Sequence, residues 1–373
     1  VLSRLDSSWR VLQLLFLFKD NNLKSGGINM FRECYTALMT PFRNGEVDYE
    51  ALEKLAEFQI EGGVSGILAV GTTGESPTLA WEEHNKVIRT VAEICKGRCQ
   101  CIAGTGSNNT RETMESTQFA VHTGVDAVLL VDPYYNGPSS LEIRREYIAP
   151  VAKMFPEIQI IPYVVPGRTG TQLLPEDLAI LNEQCANVNT VKEATGSVEN
   201  MRLTRKCCGN DFTILSGDDD KTFNMMTDPD IKASGVISVA SNIAPKGVQD
   251  MVKLAGDGEE AGAEKLMTAL KPLFGMVTIK TEEESPYGTV LCRARNPLPT
   301  KTLMAVLGMP VGQCRPPVGR MTEKGINVVL EVGRSIWKNN PEVLEPIGSF
   351  FGVDIESRLY DASTLEGLTY GEY

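Results

Sequence analysis

The sequence predicts an α/β fold, a (β/α)8 (TIM) barrel followed by a C-terminal helical region. Three observations carry this expectation. Eight short, continuous apolar runs lie between Cys34 and Val239, and six of the seven gaps between them have helical periodicity. The eight units occupy about 220 residues, the size of such a barrel. Parallel strands buried on both faces read as uninterrupted apolar runs, because their neighbours cover both sides. A doubly wound sheet also alternates β and α. No Gly-x-Gly-x-x-Gly follows the first run, however, which disfavours a dinucleotide fold.

Taken in order, Cys34 to Met39 is the first strand-like run and stops at Thr40-Pro41. Residues 49–62 place Tyr49, Leu52, Leu55, Ala56 and Phe58 at helical spacing. Gly66 to Val70 runs into Gly71-Thr72-Thr73-Gly74, and 81–95 reads as a helix. Cys101-Ile102-Ala103 stops at Gly104, before a helix over 110–123. Ala127 to Val131 stops at Asp132-Pro133, before a helix over 140–154. Ile158 to Pro162, Asn189 to Lys192, Phe212 to Leu215 and Gly235 to Val239 complete the eight, with helical patterns over 175–184 and 197–207. Beyond residue 250 the strand-like runs end, and 247–275, 299–307 and 322–338 read as helices. Residues 280–297 are polar, with Glu282-Glu283-Glu284, and are expected to form an extended loop or an insertion. The expected organisation is an extension over 1–29, a barrel over 30–258, a helical domain over 259–345 and a tail or interface arm over 346–373.

Composition narrows the function. Hydrophobic residues are 42% and charged residues 23%, as in a globular protein rather than a disordered chain. With 36 basic and 48 acidic residues the formal charge is −12, and no basic run occurs. That argues against nucleic-acid partners and anionic membranes. No apolar stretch approaches the roughly 20 residues that span a bilayer. The nine cysteines form no paired Cys-x-x-Cys set and there are only two histidines, His84 and His122, so no metal site is expected. Free thiols fit a reducing cytosol. The first 29 residues carry a short apolar run, Leu12 to Phe18, with Asp6 and Asp20 nearby and no clean cleavage site. The domain is expected to start near Met30. A plastid location stays open if the extension is the remnant of a targeting segment.

In a barrel of this kind the chemistry lies at the C-terminal ends of the strands. Gly71-Thr72-Thr73-Gly74-Glu75 makes a tight loop whose N–H groups suit a carboxylate or phosphate, although an ordinary glycine-rich turn looks the same. Tyr134-Tyr135 and Tyr163, followed by Pro166-Gly167-Arg168, put tyrosines at the same barrel face. Lys192, inside Thr190-Val191-Lys192-Glu193-Ala194, is the most informative position. Burial lowers a lysine's pKa and frees the amine to attack a carbonyl as a Schiff-base nucleophile. Snorkelling from the strand end, or an ion pair with Glu193, are the alternatives.

Together, Gly71-Thr72-Thr73-Gly74-Glu75-Ser76, Tyr134-Tyr135-Asn136, Tyr163 with Pro166 and Arg168, Lys192-Glu193-Ala194-Thr195-Gly196 and Ser216-Gly217-Asp218-Asp219 make a specific set in this order. The set resembles the 4-hydroxy-tetrahydrodipicolinate synthase (dihydrodipicolinate synthase) family of pyruvate-dependent Schiff-base aldolases. The resemblance covers roughly residues 34–275 and, more weakly, the helices to about 340. It implies a lyase that condenses pyruvate with L-aspartate 4-semialdehyde in diaminopimelate and lysine biosynthesis. No cofactor is implied beyond a covalent pyruvate imine on Lys192. Tyr163 is implied as the proton relay beside Lys192, Thr72 and Thr73 as the pair that binds the pyruvate carboxylate, and Thr72 also as a relay hydroxyl. Tyr135 is implied as the relay tyrosine crossing into the neighbouring subunit, and Arg168 as the clamp on the aldehyde substrate's carboxylate. Gly217 and Ile237 match positions lining the site. Val164 departs from the asparagine found at that place in many relatives, which points to altered hydrogen bonding around Tyr163. Lysine inhibition is implied through Ser76, Pro77, Trp81, His84, Asn108, Glu112 and Tyr134, and so is a homotetramer built as a dimer of dimers. Two other readings stay open. One is another pyruvate Schiff-base lyase on the same barrel, acting on N-acetylneuraminate or a 2-keto-3-deoxy sugar acid, which Arg168 and the tyrosine pair disfavour. The other is a non-catalytic barrel scaffold, against which Lys192, Tyr135, Tyr163 and Thr72 stand intact.

Overall fold

The apolar runs become eight parallel strands, β1 Glu33–Ala37, β2 Gly66–Ala69, β3 Gln100–Gly104, β4 Ala127–Val131, β5 Gln159–Val164, β6 Thr190–Glu193, β7 Thr213–Ser216 and β8 Gly235–Ser238. In this computed structural model, which describes residues 31–372, they close into a barrel in chain order, with β8 pairing back onto β1. The expected extension over 1–29 lies outside the described residues.

Side-chain alternation divides each strand between two cores. Tyr35, Leu68, Ile102, Leu129, Ile161, Tyr163, Leu215 and Ile237 fill the barrel interior, joined by Phe31, whose ring lies 5.6 Å from that of Tyr35. Cys34, Ile67, Cys101, Val128, Ile160, Val164, Val191, Ile214 and Val236 face outward and pack under the helices. Val164 therefore points away from the chamber that holds Tyr163. The expectation that it alters hydrogen bonding around that tyrosine is corrected: it fills an apolar gap between strand and helix, 2% exposed.

The C-terminal region differs from expectation in three places. Residues 247–275 are two helices, Pro245–Gly256 and Glu260–Gly275, broken at Asp257-Gly258-Glu259, where Gly258 takes a φ of 80°. The expected loop over 280–297 is an antiparallel hairpin, β9 Thr278–Ser285 and β10 Gly288–Arg295, followed by a helix over Leu298–Val306. The segment beyond 346 is not an irregular tail but forms further helices, Glu345–Phe351 and Ile355–Tyr360, that pack on the rest of the described chain. Phe350 and Phe351 each approach Phe58 at 5.3 Å, and Thr369 bridges Met321. The described residues from Phe31 onward group as one compact unit. No helix among the described residues is long and apolar enough to cross a membrane.

Candidate active site

Lys192 and Tyr163 occupy facing register positions on adjacent strands, β6 and β5, with both side chains turned into the barrel. The Lys192 Nζ lies 4.3 Å from the Tyr163 ring centroid, and the lysine is 5% exposed. Burial brings its pKa down to about 8, opposed by the nearby Asp219 and Asp218 carboxylates and assisted by Arg168. Neither alternative for Lys192 fits. It does not reach solvent, and Glu193 turns the other way, accepting from the Thr195 N–H at 2.8 Å and the Asn200 amide at 2.9 Å.

Burial pushes the Tyr163 phenol up to about 12, although Arg168 and the Thr72 hydroxyl pull the other way. Tyr163 is thus neutral at physiological pH, able to give a proton and take one back. Gly217 leaves room for this pair. A Cβ there would meet the Ala194 Cβ at 2.7 Å and the Lys192 Cε at 3.1 Å. Gly217→Ala is therefore expected to displace the amine, cutting turnover at least about tenfold and costing about 1–3 kcal/mol of stability. Steady-state rates with thermal unfolding check both. Ile237 is fully buried in the interior cluster.

The threonine loop after β2 carries the other groups. Thr72 faces the cavity, whereas the Thr73 hydroxyl accepts a hydrogen bond from the Asn296 amide at 3.0 Å. Glu75, the residue that closes the loop, has a left-handed backbone and a buried ion pair with Lys301 at 2.6 Å. Asn296 and Lys301 escaped the sequence reading. A lysine in the apolar Leu298–Val306 segment was their one visible signal.

A cavity of about 390 Å³ is lined by Thr72, Tyr163 and Arg168 and also by Ser76, Pro77, Trp81, His84, Asn108, Glu112 and Tyr134, so all seven residues of the expected lysine set share it. His84 is 3% exposed, and desolvation lowers its pKa to about 4, so its ring is neutral. Its Nδ1 has no hydrogen-bond partner. Glu112 accepts from the Ser107 hydroxyl at 2.7 Å. Burial and the Glu112 charge raise the Tyr134 phenol above its ordinary value. Arg168 reaches the surface, and its guanidinium approaches the Asn296 carbonyl at 3.4 Å. Tyr135 is set apart from this group. It is 90% exposed and held at a φ of 78°.

The arrangement supplies a desolvated amine, an adjacent neutral phenol, a hydroxyl loop and an arginine, the parts of a Schiff-base site for carboxylated carbonyl compounds. Comparison with known proteins agrees. The model of the dihydrodipicolinate synthetase family matches residues 30–332. The chain belongs to that family. Among its relatives, the 4-hydroxy-tetrahydrodipicolinate synthase of Methanocaldococcus jannaschii is 40% identical over 295 residues, spanning 79% of this chain and 95% of that protein. Among solved structures, the family member from Acinetobacter baumannii complexed with pyruvate aligns with a TM-score of 0.74 at 33% identity, covering 82% of this chain and 99% of that one. The Cyanidioschyzon merolae member with lysine bound has the same TM-score, identity and coverage. Membership of the dihydrodipicolinate synthetase family makes the chain an enzyme, a lyase of diaminopimelate and lysine biosynthesis.

Proposed function

We infer that this chain condenses pyruvate with L-aspartate 4-semialdehyde through an imine on Lys192. The observation that carries the reading is the desolvated Lys192 amine against the Tyr163 ring, with Thr72 lining the same cavity as that tyrosine. The Lys192 amine adds to the pyruvate carbonyl, and loss of water leaves the imine. Loss of a methyl proton then gives the enamine, whose carbon attacks the aldehyde while the aldehyde oxygen takes a proton; the acceptor's own amine then attacks the imine carbon, closes the ring and releases Lys192 as the free amine. Tyr163 moves the protons, passing them through the Thr72 hydroxyl toward the surface. Thr73 and the loop N–H groups hold the pyruvate carboxylate, and Arg168 clamps the carboxylate of the aldehyde substrate in two-pronged fashion. Ile237 and Gly217 shape the wall.

Tyr135 completes the relay in a partner copy. A tyrosine 90% exposed on a left-handed backbone is held outward, and in a dimer that presentation delivers its hydroxyl to the neighbouring site. The assembly we propose is a dimer of dimers, as the family resemblance implies. Nine unpaired thiols suit a reducing compartment such as the cytosol.

L-Lysine is proposed as an inhibitor bound against Trp81, His84 and Glu112. The unpartnered His84 Nδ1 and the Glu112 carboxylate supply acceptors for an amine, and Trp81 supplies an apolar wall. Glu112→Ala is expected to raise the lysine concentration for half-inhibition at least about tenfold, with little change in the uninhibited rate. Equal inhibition of both proteins, or none of either at millimolar lysine, contradicts this site.

The test of the function is turnover of pyruvate with L-aspartate 4-semialdehyde, compared with N-acetylmannosamine as the acceptor aldehyde. Turnover confined to the semialdehyde supports the reading. Preference for the sugar moves the assignment to a sugar-acid aldolase.

A further inference from the structure

Glu75 belongs to the threonine loop motif, yet the chemistry above gives it no role. It sits at φ 56°, ψ 33°, a left-handed conformation that side chains other than glycine rarely adopt. Its two carboxylate oxygens are held from a distant part of the chain. One accepts from the Lys301 ammonium at 2.6 Å and the other from the Arg315 N–H at 2.8 Å. Lys301 is 1% exposed, donates a second bond to the Thr40 carbonyl at 2.7 Å, and lies 4.3 Å over the Phe42 ring. The Thr40 hydroxyl in turn donates to the Gly74 carbonyl at 2.7 Å, and Asn296 holds the Thr73 hydroxyl. Residues 296–315 thus hold Thr73 and Glu75 directly, and Gly74 through Thr40, which Lys301 binds in turn.

A buried ion pair adds little net stability compared with an apolar replacement of the same shape. What this pair specifies is geometry. It fixes the backbone after Thr73, and the Asn296 bond occupies an acceptor site on the Thr73 oxygen, leaving its own proton to point elsewhere. We propose that Glu75 and Lys301 are positioning residues for pyruvate. By fixing the threonine loop from the C-terminal segment, the pair sets the affinity for the substrate's carboxylate. This rests on the reading that the loop binds pyruvate, and it assigns to the segment after the hairpin a part in substrate binding.

Removing one partner strands a buried charge, so the informative variant replaces both, Glu75→Gln with Lys301→Met in the full chain. The pyruvate KM is expected to rise about tenfold, while the KM for aspartate semialdehyde stays within about twofold. The adduct should still be trapped by borohydride at saturating pyruvate. Lys301→Arg, which keeps the charge but alters the donor geometry, is the second variant, with an expected rise of about threefold in the same constant. A fall in thermal midpoint with an unchanged pyruvate KM, or equal rises in both KM values, overturns the proposal. Absence of any pyruvate adduct on the unsubstituted protein instead overturns the reading of the site itself.

Discussion

Replacing Lys192 with alanine or methionine is expected to lower turnover by about 10⁴-fold or more, because it removes the amine that forms the imine. The same change should stabilise the fold at neutral pH. The lysine pKa falls from 10.5 to about 8 on folding, so the unfolded chain binds this proton more tightly. The resulting cost is fully present below about pH 8, where both states are charged, and fades as pH rises toward 10.5. Its size is about 3 kcal/mol, taking about 1.4 kcal/mol per pKa unit. Lys192→Met, which keeps the volume, should therefore unfold at higher denaturant than the parent at pH 7, and the difference should shrink by pH 10. Equal midpoints at pH 7 would mean that the lysine is solvated. In the parent, the rate of pyruvate adduct formation should climb through about pH 8 as the amine loses its proton.

The second large effect belongs to Tyr163. Tyr163→Phe keeps the ring against Lys192 but removes the phenol hydroxyl. The kcat is expected to drop about 10²- to 10³-fold, the usual worth of a positioned proton-transfer group. Pyruvate should still be trapped on Lys192, more slowly. Stability should rise or stay level, since the phenol is deeply buried and its loss leaves no large void. A variant with near-parental kcat would remove Tyr163 from the relay. One that no longer captures pyruvate at all would place it in binding rather than proton transfer.

The barrel was legible because each strand is covered on both sides. Val128 and Leu129 face opposite cores, and both had to be apolar. Lys192 was legible for the converse reason, as a charge in a run where only apolar residues belong. The hairpin over 278–295 was not. Its second strand has no buried residue, and of the two buried positions on the first, Ile279 and Glu283, one is a carboxylate, so no apolar face could be read. The hold on the threonine loop was hidden for another reason. Glu75 and Lys301 are 226 residues apart, and no local pattern pairs a carboxylate in one turn with an amine in a distant helix. The break at Asp257-Gly258-Glu259 was within reach of the sequence, since a glycine with φ 80° ends many helices, but apolar spacing on both sides disguised it. Val164 shows the limit of position-by-position comparison. The unusual residue beside a catalytic tyrosine lies on the opposite face of its strand.

The central claim is that Lys192 forms a covalent imine with pyruvate. Intact-protein mass after incubation with pyruvate and borohydride tests it most directly, with Lys192→Ala treated in parallel. The account predicts a gain of one reduced pyruvate imine per chain on the parent and none on the variant. No gain on the parent, or the same gain on both proteins, would contradict it.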